Sequence, residues 1–306
     1  MQWISISDNS IIYGLCEKKS YNDAISRIFK KNLVVTADSL SFSLELKKQL
    51  KSVLAFFKHD NPADRAIAIS IPANKSRIFL NKIDSGLANN EINDVLNWKI
   101  KNSLPNTENL FTQHYFIENE DNSEESRYLS ISIPDDLRKV IVASVVKFYF
   151  EPVLMDLGIF SAYKLLSKSF PLQAYEKWGV WNIGKENQPQ NLLVFGDGIM
   201  SFISFAFNNA SDITVLQNTD PEKYDLQFIK DLINQNYSAL NFDKFFVYTS
   251  SPNNIFVQNQ VDSANQMILN PLPILSQQKV HIEQKFLTDK LGVSQFSEIA
   301  GLITRF

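Results

Sequence analysis

The stretch NLLVFGDGIMSFISFAF (191–207) constrains this chain most. An apolar run at 192–195 meets the turn Gly196-Asp197-Gly198, and a second apolar run fills 199–207. Glycine tolerates the positive φ that tight turns demand, so the pattern predicts two strands joined as a hairpin. Both faces of the second strand are apolar: Ile199, Ile203, Phe205 and Phe207 on one, Met200, Phe202 and Ala206 on the other. A strand of that kind is covered on both sides.

The chain is long enough, at 306 residues, for two domains or for one with a large insertion. A hydrophobic content of 44%, with 23 Phe, fills such cores and argues against disorder. The net charge of -3 offers no basic footprint, so nucleic acid is excluded as a partner. Cys16 is the only cysteine, which rules out an intrachain disulfide and fits a reducing compartment. No charged segment followed by an apolar one opens the chain, so no signal peptide is expected. The most hydrophobic long window, 140–160, contains Lys147, Glu151, Pro152 and Asp156, interruptions that a membrane span would not carry. The expectation is a cytoplasmic protein with no direct membrane insertion.

From the start, WISISDNSIIYGLC (3–16) has the shape of a strand, a turn at Ser7-Asp8-Asn9-Ser10, and a second strand. A third strand is predicted at 33–36 and a helix at 40–58, where Leu44, Leu50, Leu54 and Phe57 are among the apolar positions. Strands at 66–71, ended by Pro72, and at 76–83 complete a β-β-β-α-β-β series. An amphipathic helix at 91–103 carries Ile92, Val95, Leu96 and Ile100, with Pro105 just beyond it. Strands at 111–117 and 128–133 flank an acidic loop, and a helix is predicted from Asp135 to about 157, kinked at Pro152 and closed by Gly158. This α-β-β-α block is compact enough to be an inserted subdomain. The stretch 178–189, with Gly179 and Gly184, is the predicted boundary between halves. Beyond it come the hairpin, a strand at 213–216, a helix at 220–239, a strand at 244–249, a loop at 250–254, a strand at 267–269 and a closing helix at 296–305. Each half opens with a strand, a turn and a strand.

In the order of these elements the chain resembles the actin-like PilM family of type IV pilus assembly, with the cytoplasmic part of type II secretion GspL proteins close behind. EINDVLNWKIKNSLP (91–105) is similar to that family's helix with a central Trp, here Trp98, and a terminal Pro, here Pro105; Lys99 stands where an acid is usual. Residues 128–159 resemble its strand and long helix ending in a Gly-hydrophobic pair. MILNPL (267–272) resembles its strand leading into Asn-Pro, and SEIAGLITRF (297–306) its closing helix. The resemblance implies an α/β, actin-like (ribonuclease H-like, duplicated) two-domain ATPase fold. Residues 1–83 and 159–189 would form the first domain, 84–158 the inserted subdomain, 190–295 the second domain, and 296–306 a helix returning to the first. It also implies a bacterial adaptor that grips the cytoplasmic tail of an inner-membrane assembly protein, with a motor ATPase as a further partner and a homodimer as its assembly. Trp98 is the candidate partner-binding residue.

Actin-like ATPases need two hairpin turns carrying an acid and glycines, so that backbone N–H groups reach phosphate and the acid organises Mg²⁺, and a third glycine-rich loop beside adenosine. By the resemblance, the first loop spans Ser5, Ser7, Asp8, Asn9 and Ser10, with Ser5 at the acid position and Ser7 at a glycine position. The second is placed at Gly196-Asp197-Gly198, with Phe195 at the acid position, and the third at Thr249-Ser250-Ser251. A Cβ where backbone must touch phosphate blocks approach, and a carboxylate aimed at phosphate repels it unless a metal intervenes. The expectation is therefore a pseudo-ATPase with a degenerate nucleotide pocket and no cofactor; ATP–Mg is the ligand of the alternative reading.

Other chemistry is thin. His59, His114 and His281 are isolated in sequence, with no second ligand at metal spacing, and neither a G-x-S-x-G elbow nor a GxxxxGK(S/T) loop occurs. Two alternatives share the fold: an ATP-dependent sugar-kinase relative, which would need intact phosphate loops, and a filament-forming relative like FtsA. The FtsA-like form would carry a membrane helix beyond the closing helix, and GspL-type proteins would continue into a membrane span. A chain ending at Arg305-Phe306 points instead to the PilM-like form.

Overall fold

The computed structural model describes residues 1–18, 24–33, 39–57, 65–104, 109–119, 125–171, 173, 175–196, 198–209, 212–234, 240–262, 267–287 and 289–305. Three strands, β1 (Gln2–Ile6), β2 (Ser10–Lys18) and β3 (Ala24–Asn32), form an antiparallel meander. Helix α1 (Ser39–Phe56) then carries the chain across so that β4 (Ala66–Ile71) lies parallel to β1. Parallel neighbours require such a crossover. The chain next leaves this sheet: β5 (Arg77–Asp84), α2 (Asn89–Ser103), β6 (Leu110–Asn119) and β7 (Glu125–Pro134) build a three-stranded sheet of order β5-β7-β6 beside one helix. Through α3 (Asp135–Lys147) it returns to β8 (Glu151–Leu157), which lies parallel to β4 at the edge of the first sheet, and continues as α4 (Gly158–Ser169).

The second half repeats this design. β9 (Trp178–Asn182), β10 (Gln190–Gly196), β11 (Gly198–Asn209) and β12 (Asp212–Asn218) run antiparallel. α5 (Leu226–Ile233) precedes β13 (Lys244–Tyr248), which is parallel to β9, and α6 (Ile255–Asp262) precedes β14 (Met267–Ile268), parallel to β13. The sheet orders are β15-β3-β2-β1-β4-β8 and β12-β11-β10-β9-β13-β14, where β15 (Val280–Ile282) follows α7 (Leu272–Gln277). Strand for strand, β3-β2-β1-β4-β8 matches β11-β10-β9-β13-β14 in order and direction. That duplication makes the fold actin-like. The chain closes with α8 (Lys290–Ser294) and α9 (Ser297–Ile303); every residue of α9 is buried.

The second sheet is covered on both faces, as its apolar strands require. Trp178, Val180, Leu193, Phe195, Phe202 and Phe246 join the core of the first half, while Trp181, Leu192, Val194, Ile203, Phe205 and Val247 form a second core. Alternate residues along β9 and β10 fall in different cores, the two-residue period of a strand.

Several sequence expectations are corrected. The helix expected over 135–157 stops at Lys147; the chain turns through Tyr149 at φ 61, and the following run is a strand. Pro152 is tolerated there because β8 is an edge strand, and Gly158 opens α4 instead of closing a helix. The third strand is β3 at 24–32, not 33–36, of which 34–36 lie outside the described residues. The stretch 178–189 is no boundary: Trp178–Asn182 is a central strand. The helix expected over 220–239 is α5, started by the Asp225 side chain accepting from the Phe228 N–H at 2.9 Å. Pro105 lies outside the described residues.

Candidate functional site: a polar cleft and an apolar groove

Three loops meet between the two large sheets. The first joins β1 to β2 at Ser7, Asp8 and Asn9. The duplication fixes the second: β9 and β10 repeat β1 and β2, so their connection, residues 183–189, is its counterpart. The third follows β13. Asn9 ties them together. Its Oδ1 accepts from Gln188 Nε2 of the second loop at 2.7 Å, and its Nδ2 donates to Ser251 Oγ of the third. Thr249 Oγ1 donates to the Ile183 carbonyl at 2.7 Å, and Lys30 Nζ on β3 donates to the Ser250 carbonyl at 3.3 Å and to Gln295 Oε1 at 2.6 Å. Ser7 and Ser10 hold the first turn together, their Oγ atoms 3.0 Å apart.

The turn at Gly196–Gly198 is therefore not the second phosphate loop. It joins β10 to β11, at the far end of β10 from residues 183–189. Seven residues of strand put the two ends about 20 Å apart. Ile199, beside the turn, accepts at its carbonyl from Arg127 Nη2 at 3.1 Å and lines a different cavity. Asp197 itself lies outside the described residues. The sequence signal that was available is Asn182-Ile183-Gly184, directly after the apolar strand of β9; its Gly and Asn content made the stretch look like a linker.

Beneath the loops sits a residue that sequence reading missed. Glu298 of α9 accepts from Ser5 Oγ on β1 at 2.9 Å, from Tyr248 Oη on β13 at 3.1 Å, and from Asn182 Nδ2 on β9 at 3.4 Å. Ser5 pairs with Ser70 of the parallel strand β4, and Asn182 with Tyr248 of the parallel strand β13. Ser5 and Asn182 thus occupy equivalent places in the two halves, and one carboxylate takes a hydrogen bond from each. Burial pushes the Glu298 carboxyl up to about 7, against the hydrogen bonds from Ser5 and Tyr248, while Asp8 and Asp156 add to the rise. Burial and the neighbouring Glu298 likewise hold the Tyr248 hydroxyl well above its usual range.

The cleft above Glu298 is a cavity of about 680 Å³. Asn9, Ser10, Lys30, Lys185, Ser250 and Ser251 are among the residues around it, and none of its described lining residues is Asp or Glu. Asp8, the candidate acid of the first loop, faces elsewhere: its Oδ2 accepts from Asn74 Nδ2 at 2.8 Å, and burial raises its carboxyl despite Asn74 and Lys75. This lining does not fit a nucleotide held through magnesium. It offers no anionic oxygen to a cation, and the Asn9 carboxamide spans the gap between the loops.

The second cavity, of about 710 Å³, is an apolar groove. One wall is a face of the three-stranded sheet, with Phe111, Leu129, Ile131 and Ile133. The opposite wall is β8, whose edge position leaves one side of its backbone with no strand among the described residues. Charge is confined to the ends. Arg138 lies over the Phe111 ring at 4.6 Å and binds Asp135 at 2.7 Å; Arg305 binds Asp156.

The remaining candidates are scattered. Trp98 is 64% exposed on α2, away from the small core of Ile83, Ile92 and Leu96. His114 shares hydrogen bonds with Ser130 Oγ at 2.8 Å and Asn97 Oδ1 at 3.1 Å, and burial lowers its pKa. His59 lies outside the described residues, among which no cluster of three metal-ligating side chains occurs. Among them, too, no helix is long and apolar enough to cross a membrane.

Two matched halves around an interdomain cleft define an actin-like protein. A solved structure of a PilM-PilN type IV pilus biogenesis complex is similar over 99% of this chain and 97% of that chain, at 11% identity and a TM-score of 0.67. A Bacteroides thetaiotaomicron protein with an actin-like ATPase fold and unknown function is similar over 99% of this chain and 95% of that one, at 12% identity and a TM-score of 0.46. The cytoplasmic domain of EpsL, an inner membrane component of the Vibrio cholerae type II secretion system, matches over 81% of each chain at 8% identity and a TM-score of 0.41. No protein-family model matches the chain, and no curated protein matches it in sequence. The likeness to the PilM-PilN complex is one of fold.

Proposed function

We propose that this protein is a non-catalytic cytoplasmic adaptor of a bacterial type IV pilus or type II secretion-like envelope machine, and that it holds the cytoplasmic tail of a membrane partner in the apolar groove. The observation that carries this reading is the open edge of β8 facing Ile131 and Ile133 across the groove. An extended peptide laid along that edge gains main-chain hydrogen bonds from β8, and its alternate side chains enter the apolar wall. The fold shared with a PilM-PilN complex supports the choice of machine. The cleft supports the non-catalytic part, because its lining gives a magnesium ion no carboxylate.

The test uses synthetic peptides copying the short cytoplasmic tails of inner-membrane assembly proteins encoded beside this chain, titrated by fluorescence anisotropy. One tail is expected to bind with a Kd in the micromolar range. Ile131→Glu, which puts a charge on the groove wall without touching the cleft, should weaken it by 100-fold or more. Failure of every tail to bind, or equal binding by Ile131→Glu, overturns the reading.

A further inference from the structure

We infer that the polar cleft binds a small oligoanion, a chain of phosphoryl groups, through lysines and without a divalent metal. The reading is independent of peptide binding in the groove, which lies on the other side of β8 and α4.

Three ammonium groups border the cavity: Lys30 from β3, Lys185 from the second loop, and Lys285, which precedes α8. They come from both halves of the duplication, so the charge gathers only once the two halves are folded together. Lys30 is bonded to two neutral oxygens, the Ser250 carbonyl and Gln295 Oε1, and no carboxylate among the described residues pairs with it or with Lys185. Lys285 pairs with Glu283, both largely exposed at the rim. Desolvation, and then the nearness of Lys185, lowers the Lys30 ammonium to about 8. Cations gathered in a partly dry cavity with no counter-charge are a cost that an anion removes. Ser10, Asn32, Ser250, Ser251, Asn253 and Asn254 supply hydroxyl and amide donors around them. Several phosphoryl groups suit a cavity of about 680 Å³ better than one, since the lysines enter from different sides.

In an actin-like ATPase the phosphates carry their own cation, which protein acids hold. Here the acids have left the cleft and fixed cations line it. Magnesium bound to the ligand would then compete with the lysines and weaken binding.

The test is calorimetric titration of the full chain with sodium tripolyphosphate and with ATP, each in EDTA and in excess Mg²⁺, with melting followed in parallel. Submillimolar binding in EDTA, weakened several-fold by Mg²⁺ and by added salt, is the expected result. Lys185→Gln, whose side chain makes no hydrogen bond that the fold depends on, should weaken binding about 10-fold at an unchanged melting temperature; Lys30→Gln should do so as well. Equal affinity for the two probes supports the site with the phosphate chain as the recognised group. Tighter binding of ATP supports it with a nucleotide as the source of that chain. Binding that requires Mg²⁺, binding that Lys185→Gln leaves unchanged, or no binding of either probe overturns the inference. None of these outcomes bears on the peptide titrations, so failure here and failure of the groove are separable.

Discussion

Replacing Gly301 with alanine is expected to cost at least about 3 kcal/mol of stability and to lower the melting temperature by roughly 6–10 °C. At this position α9 crosses α4 with no room for a side chain. A Cβ built on Gly301 would lie 1.8 Å from the Ser161 carbonyl oxygen and 2.3 Å from its carbonyl carbon. Both are backbone atoms of a helix, so neither can rotate away, and one helix must shift. The neighbours show how tight the crossing is: Gly158, Ser161 and Ala162 on α4, and Ala300 on α9, are all buried. A shift of α9 also moves Glu298, and with it the hydrogen bonds to Ser5, Asn182 and Tyr248 that join the two halves. The measurement is a thermal melt of Gly301→Ala beside the parent. A difference under 1 °C would mean that the helices do not approach this closely.

The second large effect concerns pH. Glu298 has its carboxyl raised from 4.5 to about 7, so the folded state keeps the proton over a range in which the unfolded chain releases it. Its contribution to stability is therefore complete below about pH 4.5, declines as pH rises, and is lost above about pH 7. A shift of that size corresponds to about 3 kcal/mol. Glu298→Gln keeps an acceptor for Ser5 and never ionises. The variant should gain on the parent by several degrees of melting temperature as pH goes from 5 to 8. The groups that face Glu298 electrostatically, Asp8, Asp156 and Tyr248, are present in both proteins and cancel in the difference. Parallel curves for parent and variant across that range would refute the assignment.

Much of this architecture was legible in the chain. The doubly apolar strand at 199–207 does sit between two cores, the helix over 91–103 matches α2, and the small residues Ala300 and Gly301 lie where the last helix meets another. What misled was ambiguity of period. The run at 153–157 fits a helix or a half-exposed strand equally well, and only Pro152 hinted at the edge strand. The candidate site was legible by half. Ser5, Ser7, Asn9, Ser10, Ser250 and Ser251 do surround the cleft or its floor, whereas Gly196 and Gly198 belong to a turn beside the groove. A glycine-flanked turn signals a hairpin, yet nothing in it says at which end of the sheet the hairpin closes.

Periodicity, turn residues and composition are local properties, and the sequence by itself determined those: the elements, the duplicated opening of each half, and the loss of acids and glycines from the first and third loops. Pairing is not local. That β13 lies beside β9 brings residue 248 against residue 182, and only this makes 183–189 the second loop of the cleft. Likewise Ser5 and Glu298, 293 residues apart, meet because α9 returns to the first half. The lysines of the cleft and the apolar wall of the groove were visible in the sequence as residue types. Their convergence was decided by the tertiary structure, because a site made across sheets depends on contacts that no window of neighbouring residues contains.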